Sequence, residues 1–274
     1  MTVNLQKIHK NAQGLYKEIM SVATINFHKI HNNFDKKYDS GRMSVVTQAD
    51  KIINKLLEDN LPKLLPNSLV IGEEDDNDEF SEYTWIVDPI DGTGNYQKGL
   101  DWWGTSISLW KADEPIYGAL LFPRSVENMI YGFKNGGVFD SCDNKISLKL
   151  KSPYKPAFSI DLIDVKFRQH VLSSDWKIDL SYRATGSTIY DGYNLILGGY
   201  DFSIIYDLAP WDVGAVLVLT KELGYEIDFL GKRISMKDDN FLKYEHVVLI
   251  AKPDIYNEIV PTVKKLIKDY EMKK

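Results

Sequence analysis

The run of residues 83–96, Tyr-Thr-Trp-Ile-Val-Asp-Pro-Ile-Asp-Gly-Thr-Gly-Asn-Tyr, most constrains how this chain folds. Its aromatic and β-branched start favours a buried strand. Proline has no backbone donor and biases the residue before it to an extended conformation, so the strand is predicted to end at Asp88-Pro89. Asp88 and Asp91 flank this break. If a helix or turn begins at Thr93, its amides form an anion cradle beside carboxylates that suit a hard cation, as in metal-assisted phosphoryl transfer.

An acidic turn also has a simpler explanation, because Asp and Gly are favoured turn residues. Three further acidic positions therefore matter. Glu73 ends a short predicted strand, and Asp50 lies in the first turn of a helix that Thr47 can cap. Asp212 follows Pro-Trp at the start of an apolar helix predicted to run to Leu223. In the simpler interpretation, Asp50 complements the helix dipole and Asp212 is an ordinary N-cap.

The segment 85–96 resembles the signature of the inositol monophosphatase family of magnesium-dependent, lithium-sensitive phosphatases. Three other elements of that family's pattern stand in the expected order: Thr-x-x-Asp at 47–50, Gly-Glu-Glu at 72–74 and Trp-Asp at 211–212. The resemblance covers most of the chain. It implies two bound Mg²⁺ ions and leaves room for a third near Glu73.

Individual roles are implied by the same resemblance. The first Mg²⁺ is implied to be held by Glu73, Asp88 and the carbonyl of Ile90, and the second by Asp88, Asp91 and Asp212. The catalytic residues are implied to be Thr93, Asp50 and Glu73, with Thr93 hydrogen-bonded to Asp50 and orienting the attacking water. The phosphate is implied to meet Asp91, Gly92 and Thr93, and the remaining substrate to meet Gly186, Ser187 and Thr188. Asp207 lies close to position 205, where the family's substrate-binding glutamate is missing, and is our candidate to substitute for it.

The implied function is a Mg²⁺-dependent phosphomonoesterase that hydrolyses inositol monophosphate or a related small sugar phosphate with a metal-activated water. Asn95 favours the inositol-phosphate branch. Inositol-specific members carry a substrate-binding glutamate seven residues before the Trp-Asp aspartate, where this chain has Ile205. Fructose-1,6-bisphosphate and nucleotide or NADP(H) phosphates therefore stay open as substrates. A regulatory binding protein on the same fold is the alternative of another class.

Two other phosphate-binding patterns fit less well. Haloacid-dehalogenase-type phosphatases use Asp-x-Asp, whereas Asp88 and Asp91 have one residue more between them, which places the second side chain on the other face of a strand. A dinucleotide-binding loop would need a further glycine where Gln97 stands.

Composition bounds the cellular context. The net charge of -6 gives no sign of a nucleic-acid or membrane partner, and an acidic protein that acts on phosphates needs cations in its site. The single cysteine, Cys142, indicates a reducing compartment, and no apolar run reaches membrane-spanning length. We therefore expect a cytoplasmic protein.

The resemblance implies a layered α/β sandwich, with helix pairs alternating with mixed β-sheets as in sugar phosphatases, and a homodimer. We expect one domain over 1–274, with 1–150 and 151–274 as an alternative subdivision into metal/phosphate and substrate halves. The apolar spacing predicts a first helix over 3–31, whose histidines we expect at the surface, and a last helix over 254–271. Residues 36–42 and 135–157 are interpreted as polar connections, the second of them holding the boundary between two sheets.

Overall fold

The structure is a computed structural model that describes residues 3–27, 34–39, 42–73, 81–150, 155–161, 165–230 and 246–272. These residues form seven helices and fourteen strands. The helices are α1 (Leu5–Phe27), α2 (Gln48–Leu64), α3 (Thr93–Lys98), α4 (Val165–Leu172), α5 (Thr188–Ile196), α6 (Pro210–Leu223) and α7 (Pro253–Glu271). The strands are β1 (Phe34–Asp39), β2 (Arg42–Thr47), β3 (Leu69–Gly72), β4 (Tyr83–Asp91), β5 (Gly104–Lys111), β6 (Glu114–Leu121), β7 (Met129–Phe133), β8 (Gly137–Asp140), β9 (Lys145–Ile146), β10 (Ala157–Asp161), β11 (Ser181–Arg183), β12 (Phe202–Leu208), β13 (Glu226–Phe229) and β14 (His246–Ala251).

Two mixed sheets and one hairpin contain the described strands. The larger sheet has the order β3-β4-β5-β6-β7-β8-β9, with β3 parallel to β4 and each later neighbour antiparallel. The second sheet has the order β11-β10-β12-β14-β13, in which β10 is parallel to both its neighbours and β14 is antiparallel to both of its own. Strands β1 and β2 form the hairpin.

Three apolar clusters hold these elements together in layers. Helices α1 and α2 cover one face of the seven-stranded sheet, where Ile53 and Ile107 belong to one cluster. Helices α5 and α6 lie between the two sheets and share a cluster with Ile86 from one sheet and Ile205 from the other. Helices α4 and α7 cover the outer face of the five-stranded sheet. The predicted layered α/β sandwich is confirmed.

Strand β4 does not end at Asp88-Pro89 as predicted. It continues to Asp91, and its pairing with β5 shifts register between Asp88 and Asp91. The missing N–H of Pro89 interrupts the ladder, but the extended backbone that proline favours carries the strand onward. The carbonyl of Pro89 accepts a hydrogen bond from the Thr105 hydroxyl at 2.8 Å. The two aspartates are thus carried on one irregular strand end.

Both segments interpreted as polar connections contain strands. Residues 36–39 belong to β1 and Arg42 begins β2, and residues 135–157 contain β8 and β9. Strand β8 has four residues and the edge strand β9 has two, and strands this short hold too few alternating positions to be distinguished from a loop by pattern. The expected boundary between the sheets does lie in this segment, between β9 and β10.

His9 in α1 is buried, so its predicted surface position is wrong. Its ring stacks on Tyr131 with 3.5 Å between centroids, and its Nδ1 lies 2.9 Å from the Tyr117 hydroxyl. Burial lowers the pKa of His9 to about 4, with a smaller opposing effect from Asp143. The other two histidines of the predicted helix, His28 and His31, lie outside the described residues. Among the described residues, no helix is both long and apolar enough to cross a membrane.

Helix α6 lies unusually close to the seven-stranded sheet because glycines replace side chains at the contact. A Cβ added at Gly118 would lie 2.7 Å from Val218 Cγ1 and 2.9 Å from the Ala215 carbonyl oxygen. One added at Gly214 would lie 2.6 Å from Ser108 Oγ. These contacts fix the height of α6 above the sheet, and α6 carries one of the predicted metal ligands.

Gly118→Ala tests this contact. We expect a loss of about 1–3 kcal/mol in the free energy of unfolding, as for overpacking, because backbone atoms of α6 must move. The control is Gly14→Ala in α1, where an added Cβ meets no atom within 4 Å. That change should stabilise the protein by about 0.5–1 kcal/mol. Urea unfolding measures both, and an unchanged midpoint for Gly118→Ala would contradict the tight contact.

Candidate metal centre and active site

Three of the predicted metal ligands come together in the structure. Asp88, Asp91 and Asp212 each offer a carboxylate oxygen, and these oxygens lie within 4.8 Å of one another. Asp88 and Asp91 are buried and Asp212 is half-buried. Three carboxylates at this separation repel one another strongly out of water, so the arrangement requires protons or a cation.

Two elements from different layers hold these side chains. Asp88 and Asp91 lie at the irregular end of β4, and Asp212 lies in the first turn of α6. Asp212 is the third helical residue and not the N-cap: its Oδ2 accepts a hydrogen bond from the backbone N–H of Ala209 at 2.8 Å. This bond fixes the side chain at the start of α6, where one of its carboxylate oxygens lies within 4.8 Å of the Asp88 and Asp91 oxygens.

Glu73 stands next to this cluster but is not one of its three members. It directly follows β3, and its N–H donates to the Val87 carbonyl at 3.2 Å, one residue before Asp88. The charge of Glu73 raises the pKa of Asp88 more strongly than the charges of Asp91, Asp212 and Asp50 do. Glu73 therefore adds a fourth negative charge at the edge of the site, and its role as a ligand stays a prediction.

Burial is the first cause of the raised pKa of Asp88, which lies well above its ordinary value. The charges of Glu73, Asp91, Asp212 and Asp50 follow in that order. Desolvation and like charges both disfavour the ionised carboxylate, and a bound cation would reverse both effects. Asp88 therefore needs a positive partner to be ionised in this site.

The polar atoms around Asp88 fit such a cation. Among the described residues, Asp88 Oδ1 and the Ser106 hydroxyl are buried and have no hydrogen-bond partner. Ser106 lies directly opposite Asp88 in the pairing of β4 with β5. Oxygen donors from carboxylates are what Mg²⁺ and Ca²⁺ prefer. The donor set therefore suits a hard divalent cation better than a soft one.

Asp50 and Thr93, predicted to act together, lie within reach of each other. The Thr93 hydroxyl lies 3.5 Å from Asp50 Oδ1 and 2.8 Å from the Ile90 carbonyl oxygen. A hydroxyl has one proton, and the shorter contact shows that Ile90 receives it here. Asp50 also caps α2, because its Oδ2 accepts from the N–H of Thr47 at 2.8 Å and from the Thr47 hydroxyl. The expected N-cap role of Thr47 is confirmed.

The turn after Asp91 requires glycine. Gly92 is the left-handed N-cap of α3, with φ 83°. A Cβ there would lie 2.7 Å from the Trp102 carbonyl oxygen and 3.0 Å from Ser187 Cβ. Helix α3 begins at Thr93 as predicted. The backbone of Gly92 and Thr93 is thus held close to the residue 187 segment from the other half of the chain.

Ser187 contacts the cluster directly, through a hydrogen bond from its hydroxyl to Asp91 Oδ2. The same oxygen accepts the N–H of Ile189 at 3.2 Å. Gly186 is exposed with φ 75°, and Thr188 is buried at the start of α5. The backbone of Asp207 lies in β12, but its side chain is outside the described residues, so its substrate role stays a prediction.

Sequence reasoning assigned Asn95 no part in the site. The structure shows its side-chain amide donating to backbone carbonyls of the loop before β5 and of residues 185 and 186. Ser106 was also missed. Its only sequence signal is alternation along β5, which places it on the face of Ser108 and Trp110 towards α6.

Comparison with known proteins places these features in a family. Residues 4–268 match the family model described as the inositol monophosphatase family. A fructose-1,6-bisphosphatase/inositol-1-monophosphatase of Aquifex aeolicus is 26% identical over 256 residues, which are 86% of this chain and 95% of the relative.

Solved structures share the fold. The Thermotoga maritima IMPase superposes with a TM-score of 0.77 at 22% identity, covering 93% of this chain and 96% of that one. An IMPase/NADP phosphatase complexed with Mg²⁺ and phosphate gives a TM-score of 0.75 at 20% identity, covering 96% and 95%.

Asp88→Asn tests the electrostatic description of the site. Because the pKa of Asp88 is higher in the folded than in the unfolded chain, the charged carboxylate destabilises the metal-free fold at neutral pH. Neutralising it should therefore raise the free energy of unfolding measured in EDTA above that of the wild-type protein. The exposed Asp59→Asn is the control, with almost no effect expected. Lower stability of Asp88→Asn in EDTA would contradict this description.

Proposed function

Because the chain belongs to the inositol monophosphatase family and is a phosphoric monoester hydrolase, we propose that it hydrolyses inositol monophosphate or a related small sugar phosphate with Mg²⁺ as its cofactor. The observation that carries this proposal is the cluster of Asp88, Asp91 and Asp212, of which the first two are buried and the third is half-buried. The structural neighbour complexed with Mg²⁺ and phosphate supports the choice of cation.

The residues that would hold Mg²⁺ are the three clustered aspartates, with Glu73 and the carbonyl of Ile90 as the further predicted ligands. When bound, Mg²⁺ supplies Lewis-acid chemistry: it lowers the pKa of a coordinated water and neutralises charge on phosphate oxygens. We expect two such ions and leave room for a third near Glu73. We also expect lithium to inhibit the enzyme, because the family that the chain resembles is lithium-sensitive.

The protein's own groups have separate tasks in this proposal. The backbone amides of Gly92 and Thr93 would bind the phosphate, beside the carboxylate of Asp91. The Thr93 hydroxyl would orient the attacking water, and Asp50 would accept the proton of that hydroxyl. The 3.5 Å contact between Thr93 and Asp50 would have to shorten at the expense of the Ile90 contact, as catalytic hydrogen bonds often tighten only when substrate binds.

Substrate choice is supported less directly. The relative of Aquifex aeolicus acts, by its name, on fructose-1,6-bisphosphate and inositol 1-phosphate, and one structural neighbour is an IMPase/NADP phosphatase. Ile205, at the position of the inositol-binding glutamate, is buried in the apolar cluster between the two sheets. It gives inositol hydroxyls no polar partner, which keeps fructose-1,6-bisphosphate and NADP(H) as alternative substrates. The homodimer and the cytoplasmic location also stay predictions.

Asp212→Asn tests the cation-dependent reaction. Asparagine keeps an oxygen that can accept the Ala209 N–H, so α6 should start unchanged while one negative ligand is lost. We expect phosphate release at saturating Mg²⁺ to fall about 100-fold or more, a loss of roughly 3 kcal/mol or more of transition-state stabilisation. The assay compares inositol monophosphate, fructose-1,6-bisphosphate and NADP(H), with Asp59→Asn as the control.

Near-normal turnover of Asp212→Asn at saturating Mg²⁺ would show that this residue is not a required metal ligand. Full activity of the wild-type protein in EDTA would show that the reaction does not need the cation. The substrate from which phosphate is released fastest identifies the branch of the family.

Thr93 variants test whether water attacks phosphorus. We expect Thr93→Ala to lose about 100-fold or more in rate, a typical general-base contribution. Thr93→Ser should lose less, because it keeps the hydroxyl but not the β-branch that restricts its rotamer. Acid quench during turnover of a labelled substrate should leave no label on the protein. Covalent label on Asp88 or Asp91 would instead show an aspartyl nucleophile.

A further inference from the structure

The side chain of Asn95 connects α3 with the loop before β5 and with residues 185 and 186. It lies in α3, and its Nδ2 donates to the carbonyl oxygens of Trp102 at 2.8 Å, Thr185 at 2.9 Å and Gly186 at 3.3 Å. All three partners only accept hydrogen bonds, so the amide group, and not its oxygen, must face them. An amide has two N–H groups, and the two shorter contacts use them.

The segment that Asn95 holds is the one that orients Asp91. Ser187 and Ile189 both donate to Asp91 Oδ2, the first from its hydroxyl and the second from its backbone N–H. The Ser187 hydroxyl also accepts the Tyr190 N–H at 3.2 Å as the N-cap of α5. The position of residues 185–189 therefore decides whether these two donors reach the Asp91 carboxylate.

Residues 185–189 need a hydrogen bond to α3 to stay next to Asp91. It connects β11, at the edge of the five-stranded sheet, to α5, whereas Asp91 belongs to the seven-stranded sheet. Gly186 adopts φ 75°, and a Cβ there would lie 3.5 Å from Asn95 Nδ2. Thr185 donates its hydroxyl to Asp191 at 2.7 Å, a bond that stays on the α5 side. Asn95 supplies side-chain hydrogen bonds from α3 to this segment.

We propose that Asn95 is a positioning residue: its amide holds residues 185 and 186 against α3 so that Ser187 and Ile189 fix the Asp91 carboxylate in the orientation that binds the cation. This rests on the proposed function for the identity of the cation, but not for the hydrogen bonds themselves. The side chain acts through the backbone carbonyls of its partners and through Ser187, without contacting the reacting atoms.

Two measurements on Asn95→Ala test this proposal. Amide hydrogen exchange of the metal-free protein reads the segment directly: we expect exchange at Ile189 to become about 10-fold faster. Calorimetric titration with Mg²⁺ reads the consequence: we expect affinity to fall about 10-fold or more, as when outer-shell partners of metal ligands are removed. Asn60→Ala is the matched control, since its amide donates only to the Leu56 carbonyl within α2. It should change neither quantity.

Coupling to Ser187 separates positioning from general destabilisation. If Asn95 acts through the segment that carries Ser187 and Ile189, the double variant Asn95→Ala/Ser187→Ala should lose less Mg²⁺ affinity than the product of the two single losses. Independent, multiplying losses would overturn the proposal, as would unchanged exchange at Ile189 in Asn95→Ala. A wild-type protein that binds no Mg²⁺ would refute the proposed cofactor. The exchange measurement would then still decide for or against the role of Asn95.

Discussion

Repulsion among carboxylates that the fold holds together and away from water is the constraint on which this site depends. Asp88 is buried, and four acidic neighbours act on it, with Glu73 first. Such a group is costly to keep charged in a protein interior, and the cost is removed when a cation binds between the carboxylates. The site is therefore built at the expense of the stability of the metal-free chain, as is common at functional sites.

The layered fold supplies the rigidity that this repulsion requires. Asp88 and Asp91 are carried by a sheet, and Asp212 by a helix of the next layer that packs on that sheet through Gly118 and Gly214. Hydrogen bonds then fix individual oxygens: the Ala209 N–H holds Asp212, and the residue 187 segment holds Asp91. Without these restraints the carboxylates would move apart and lose the separation that suits a cation.

Local chemistry made much of this predictable. Thr47, Thr93 and Pro210 each mark a helix start that the structure shows, because caps and prolines act within one turn. The order of helix and sheet layers was predicted from the family resemblance, which rests on the four acidic motifs. Contacts across the chain were not predictable from spacing. The Asn95 amide donates to Thr185 and Gly186, which lie 90 and 91 positions further along the chain. His9 lies in an amphipathic helix and is buried against Tyr131, which is 122 positions away. Strands β8 and β9 were missed because they have four and two residues, too few for an alternating pattern to be visible.

The central claim, that the clustered aspartates hold a divalent cation, is tested most directly by a crystal structure of the protein grown with Mn²⁺ in place of Mg²⁺. An anomalous difference map locates Mn²⁺ without reference to activity. The account predicts at least one strong peak in direct contact with Asp88, Asp91 and Asp212, which is lost in Asp88→Asn. Mn²⁺ bound only elsewhere, or an aspartate cluster without a peak at saturating Mn²⁺, would contradict it.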